Sequence, residues 1–125
     1  MDENELSNVI LGAAIEVHRH LGPGLLESVY EECLAHELSQ RQIPFERQKP
    51  IPVIYKGVHL DCGFRADLFV ANSVLVELKA VDQLLPIHDA QVLTYLKLAH
   101  CKLGLLLNFN VPRLRDGMKR LVLNL

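Results

Sequence analysis

Two short segments, Arg65-Ala66-Asp67-Leu68-Phe69-Val70 and Val74-Leu75-Val76-Glu77-Leu78-Lys79, alternate with period two on either side of Ala71-Asn72-Ser73. So short a break between two alternating runs predicts a β-hairpin. A slip of one residue in its register would send every side chain to the opposite face. A turn centred on Asn72 pairs Val70 with Val74, Phe69 with Leu75, Asp67 with Glu77 and Arg65 with Lys79. Two carboxylates then face each other, with Lys79 two residues along the same face. Directly opposed like charges destabilise a sheet, so this register calls for a cation, and a divalent metal ion is the natural candidate. A two-residue turn at Asn72-Ser73 would instead pair Asp67 with Leu78 and turn Asp67 to the other face. The functional reading rests on that parity.

With 125 residues, half of them hydrophobic, the chain is expected to form one domain, residues 1–125, with its own core. No segment has the apolar length of a membrane span, and Met1-Asp2-Glu3-Asn4-Glu5 is too acidic for a secretory signal. No membrane association and a cytoplasmic location are therefore expected. Cys33, Cys62 and Cys101 are odd in number and widely spaced, which argues against a disulfide framework, a zinc knuckle or an iron–sulfur cluster.

The net charge of −2 gives no support to nucleic-acid binding, but its distribution is uneven. Residues 79–125 carry seven Lys or Arg (Lys79, Lys97, Lys102, Arg113, Arg115, Lys119, Arg120) against Asp82, Asp89 and Asp116. A basic C-terminal third can meet a phosphate backbone while an acidic N-terminal half does not. The plainer alternative is a solvated mixed surface.

Leu6, Val9, Ile10, Ala13 and Val17 recur at helical spacing, which predicts a helix over residues 5–20. Gly22-Pro23-Gly24 breaks it, with Pro23 suited to the first turn of a second helix from about Leu25 to Gln40. Strands are predicted at Lys49–Tyr55 and Val58–Cys62, followed by the hairpin. Pro86 opens a helix to about His100, and Lys102–Phe109 reads as an apolar strand. Its run Leu103–Leu107 needs cover on both faces. Met118–Leu123 fits a strand or a helical turn equally. The order α-α-β-β-β-α-β implies an α/β sandwich around a small mixed sheet.

Asp67, Glu77 and Lys79 are the leading site candidates. Two carboxylates on adjacent strands can bind Mg²⁺, which prefers oxygen ligands, and a lysine beside them can orient water and stabilise charge on a phosphoryl oxygen. The bland alternative is an edge-strand salt bridge such as Arg65 with Glu77. Glu27 and Tyr30 lie three apart in Gly24-Leu25-Leu26-Glu27-Ser28-Val29-Tyr30 and are expected to share a helix face. A carboxylate there can complete a metal shell, or be a first-turn Glu favoured by the helix dipole. His88, Gln91 and Tyr95 fall on one helical stripe, either a substrate-holding set or a hydrogen-bonded core edge. His18, before the Gly-Pro-Gly break, can ligate metal, although a lone helical His is more often a surface or capping residue.

Together, Gly22–Tyr30, Arg65-Ala66-Asp67-Leu68, Val76-Glu77-Leu78-Lys79, His88-x-x-Gln91-x-x-x-Tyr95-Leu96 and Leu103–Phe109 resemble the GxxExxY family within the PD-(D/E)xK nucleases. The resemblance covers nearly the whole chain. It implies a restriction-endonuclease-like core and hydrolysis of nucleic-acid phosphodiesters with Mg²⁺ or Mn²⁺, DNA being the expected substrate. Asp67 and Glu77 match the metal-binding acids, Lys79 the catalytic lysine and Glu27 the helical acid before the core. The Leu78 carbonyl and His18 are the further metal ligands it suggests. Gln91 and Tyr95 resemble the Gln-x-x-x-Tyr helix of RecB-like nucleases, so both, with Tyr30, are expected on the substrate side. Ala66 stands where the motif's proline would be.

Small size and an acidic surface offer few elements for gripping a duplex, an objection that a dimer or a protein partner supplying the DNA grip would resolve. The rival class is a non-catalytic module of the same fold that binds nucleic acid or a protein. A glycosidase, with acids ~5–9 Å apart around a sugar cleft, fits poorly in a chain without Trp.

Overall fold

Asp2 accepts the Glu5 N–H at 2.8 Å and so caps the first helix of the computed structural model, α1 (Glu3–Leu21), which Gly22 ends at φ 67. The structure describes residues 1–124. Leu6, Ile10, Ala13, Ala14 and Val17 form the buried stripe of α1. The second helix, α2 (Glu27–Gln40), begins two residues later than the sequence predicts and leaves Pro23 in the connecting loop. That loop is held by Tyr30, whose hydroxyl donates to the Gly22 carbonyl at 2.7 Å and accepts the Leu25 N–H at 3.2 Å.

The main sheet contains β1 (Phe45–Pro50), β4 (Arg65–Val70), β5 (Val74–Lys79), β6 (Leu103–Asn108) and β7 (Met118–Val122), in the order β1-β4-β5-β6-β7. All neighbours are antiparallel except β5 and β6, which α3 (Pro86–Leu98) connects in parallel. The predicted strand Lys49–Tyr55 is in fact divided. Pro50 and Pro52 lack the N–H that a continuous ladder needs, and Ile51 donates to the Phe64 carbonyl at 2.9 Å. This bond closes an excursion carrying a separate hairpin, β2 (Val53–Tyr55) and β3 (Val58–Leu60). Five strands therefore precede α3 among the described residues, one more than the four strand segments read from the sequence, whose written order counts three. Met118–Val122 resolves as an edge strand on β6, after a 3₁₀ turn at Leu114–Gly117.

Two cores cover the sheet. Leu68, Val70, Val76, Leu78, Leu103, Leu105 and Leu107 pack under α1 and α2 with Leu34 and Phe109. Leu75 and Leu106 pack under Val92 and Leu96 of α3. Every residue of β6 is buried, as a strand covered on both faces must be. α3 packs closely over Gly104: a Cβ there would lie 2.8 Å from Val92 Cγ1. No helix among the described residues is long and apolar enough to cross a membrane.

The 71–73 turn lies at one end of this sheet. At the other end β4 begins, β1, β5 and β6 finish, and the β2–β3 excursion departs. Asn108 ties that end together: its side-chain oxygen accepts the Val81 and Asn110 N–H groups, and its amide donates to the Val81 carbonyl.

Candidate active site

The hairpin adopts the Asn72-centred register, with Val70 opposite Val74, Phe69 opposite Leu75 and Leu68 opposite Val76. Ala71 and Asn72 take φ of 51 and 53, and Ser73 closes the turn on the Val70 carbonyl at 3.0 Å. The ladder stops one residue short of Asp67 and Glu77, and carboxylates take its place. Asp67 donates its N–H to Glu77 Oε1 at 3.0 Å, while Leu78 donates its N–H to Asp67 Oδ2 at 2.8 Å. Val76 and Leu78 fill the α1/α2 core, so alternation turns Glu77, like Leu75, toward the α3 side.

Both acids are short of positive charge. Glu77 is 7% exposed. Burial first, then the charge of Asp67, pushes its pKa up to about 8, against the pull of the Asp67 N–H and Lys79. Burial also raises Asp67, opposed by its bonds from Leu78 and Gln48. Lys79 is half-buried and forms no salt bridge with a described residue. Its charge favours the ionised form of both acids without offsetting their desolvation. Paired buried carboxyl oxygens without a compensating cation are a donor set that suits Mg²⁺ or Mn²⁺, ions that retain several waters.

Three residues that sequence reasoning passed over support Asp67. Gln48 Nε2 donates to Asp67 Oδ1 at 3.2 Å and to Glu31 Oε1 at 2.6 Å. Arg47 grips Glu31 Oε2 through Nε at 3.0 Å and a terminal nitrogen at 2.9 Å. Gln48 does this at φ 51, a conformation that non-glycine residues adopt rarely and that recurs at functional sites. The Glu27/Glu31 spacing of four residues, one face of a helix, is the sequence signal that would have found Glu31.

The remaining candidates are placed unevenly. Glu27 is exposed at the start of α2, where its charge contributes to raising Glu77. Tyr30 does not share that face: it is fully buried and stacks on Phe109 with ring centroids 4.4 Å apart. In the structure Tyr30 packs as a core residue. His18 is buried, and its Nε2 lies 3.2 Å from the Phe109 carbonyl and 2.9 Å from that of Val111 and donates to them. No group of three His, Cys, Asp or Glu side chains that could hold a metal ion is found among the described residues. Tyr95 is half-buried near the pair, and burial, then the charges of Glu77 and Asp67, raise its pKa. Gln91 is exposed one turn earlier. His88 caps α3, its Nδ1 accepting the Leu85 N–H at 2.9 Å. Beyond Phe109, whose N–H bonds the Lys79 carbonyl, Arg19, Arg113 and Arg115 line a cleft of about 560 Å³.

A helix-flanked mixed sheet with two acids and a lysine at one end defines a restriction-endonuclease-like α/β protein. A family model described as the PD-(D/E)XK nuclease superfamily matches residues 4–121, and the chain belongs to that superfamily. No curated protein and no solved structure matches it.

Proposed function

We propose that this chain is a single-domain nuclease, dependent on Mg²⁺ or Mn²⁺, that hydrolyses phosphodiester bonds in DNA. The observation that carries the reading is the reciprocal bonding of Asp67 and Glu77 at an opened hairpin, with Lys79 unpaired among described side chains beside them. Membership of a nuclease superfamily supports it. The narrower GxxExxY grouping belongs to the same proposal and rests on Gly24–Tyr30.

Asp67 and Glu77 would hold the ion with the Leu78 carbonyl, and Glu27 would act from outside through water. Such an ion makes water easier to deprotonate and offsets charge on phosphoryl oxygens. Lys79 orients the attacking water and holds charge that develops on a non-bridging oxygen. Tyr95 and Gln91 line the approach of the substrate from α3. The Arg47–Glu31–Gln48 chain keeps Asp67 oriented.

The test is cleavage of single-stranded DNA, duplex DNA and RNA with Mg²⁺, Mn²⁺ or EDTA, beside Mn²⁺ calorimetry. Lys79→Ala is expected to bind Mn²⁺ like wild type and to lose cleavage by about 10²–10³-fold. Asp67→Ala and Glu77→Ala are expected to lose the metal. Wild-type protein that binds Mn²⁺ and nucleic acid yet cuts no substrate would be a non-catalytic module instead.

A further inference from the structure

The β2–β3 hairpin stands apart from both cores: no residue of 53–64 belongs to either. Ile54, Val58 and Leu60 are exposed, as are Tyr55 at 59% and Phe64 at 43%. A two-stranded ribbon is marginal by itself, and contiguous exposed apolar surface marks recognition. Cations accompany it. Lys56 lies 5.4 Å from the centroid of the Tyr55 ring, and Arg65 follows Phe64. Asp61 is the lone acid of residues 51–66.

The surface runs into the candidate site. Phe64 meets Tyr95 with ring centroids 5.9 Å apart and planes tilted by 45°, and Tyr95 feels the charges of Glu77 and Asp67. Aromatic rings interleaved with cations, leading to a phosphodiesterase centre, suit bases whose flat faces are free. A duplex keeps those faces stacked inside. Resting on the nuclease reading, we propose that the β2–β3 hairpin and Phe64 form a stacking platform that selects single-stranded nucleic acid, with Tyr55, Phe64 and Tyr95 taking bases while Lys56 and Arg65 follow the backbone.

The chain offers its own probe. It has no Trp and three Tyr, and Tyr30 is sealed in the core, so ligand-induced changes in tyrosine emission report Tyr55 and Tyr95. Oligothymidylate and a blunt duplex of equal strand length are titrated into the protein in EDTA, and cleavage of each is followed separately in Mn²⁺. Oligothymidylate is expected to quench the emission and to bind more tightly than the duplex. Tyr55→Ala and Phe64→Ala should each weaken it by about tenfold or more, with duplex binding unchanged. Phe64→Leu, which keeps apolar area but loses the ring face, should behave like Phe64→Ala.

Preference for the duplex, wild-type oligothymidylate affinity in the variants, or full rescue by Leu would overturn the platform. So would loss of self-association in the variants by sedimentation with no change in oligothymidylate binding, which would assign the surface to a second copy of the chain. Stacking as expected with no cleavage of either substrate removes the nuclease reading and leaves the platform. Mn²⁺-dependent cleavage that every variant retains on both substrates does the reverse.

Discussion

The amide of Asp67 donates to the Glu77 carboxylate at 3.0 Å, so the acid facing Asp67 across the hairpin also replaces the ladder carbonyl its backbone would otherwise use. Charge repulsion and main-chain satisfaction thus meet in one contact. Truncating Glu77 to Ala relieves the first and leaves the Asp67 N–H to water. Glu77→Gln keeps an acceptor there, and is the variant that isolates the charge.

Stability without divalent ions should fall with pH. Glu77 has an ordinary pKa of 4.5 and one of about 8 in the folded chain. Between these values the folded state holds a proton that the unfolded state has released, so stability is greatest below 4.5 and is lost as pH rises through 8. Asp67 is shifted in the same direction. In EDTA, the melting temperature of wild type should drop across this window, by an amount corresponding to a few kcal/mol. Glu77→Gln should lose most of the slope and melt above wild type at alkaline pH, while Mn²⁺ should restore wild type alone. A flat wild-type profile in EDTA would mean that the pair is not short of compensating charge.

Gln48 should matter through Asp67 although it stands on the edge strand. Its amide joins Asp67 to the Glu31–Arg47 ion pair. Removing a group that orients a metal ligand costs about 10–100-fold in metal affinity or activity. Gln48→Ala is expected to weaken Mn²⁺ binding in that range by calorimetry, with the melting temperature in EDTA little changed. Unaltered affinity would reduce the chain of contacts to a surface network.

How much of this was readable in advance follows from the reach of each interaction. The hairpin, its parity and α1 are local, set by period and by a three-residue turn, and their patterns are plain in the sequence. Pro86 marks the start of α3 for the same reason. Glu31 was half-legible: its spacing from Glu27 is helical, but its role depends on Gln48, whose left-handed φ no periodicity encodes. The surroundings of His18 were not legible, because its partners, the carbonyls of Phe109 and Val111, lie 91 and 93 residues away. The split at Ile51-Pro52 was visible as prolines, but the bond to Phe64 that makes it a separate hairpin is tertiary.

Tyr30→Phe separates a core residue from a substrate residue. The hydroxyl bonds Gly22 and Leu25, and the ring stacks on Phe109. Losing two partly buried hydrogen bonds should cost about 1–3 kcal/mol, seen as a lower denaturation midpoint with an unchanged denaturant slope. The kcat/KM of the folded variant should match wild type. A specific rise in KM with stability intact would return Tyr30 to the substrate side.

The cleft bearing Arg19, Arg113 and Arg115 gives the uneven charge of the sequence a structural address. Arg113 is largely exposed and only loosely paired, 3.7 Å from Asp116, so its charge is free to meet a phosphate. Each phosphate contact releases counterions and steepens the dependence of affinity on salt, by about 0.9 in logarithmic slope on duplex and about 0.7 on a single strand. Arg113→Ala/Arg115→Ala should therefore flatten the salt dependence of DNA binding by roughly 1.4–1.8 and weaken it uniformly across sequences. Cleavage at saturating DNA should persist, because neither arginine reaches the Asp67–Glu77 pair through any bond among the described residues. An unchanged slope measured by anisotropy over a salt series would take this cleft off the path of the DNA.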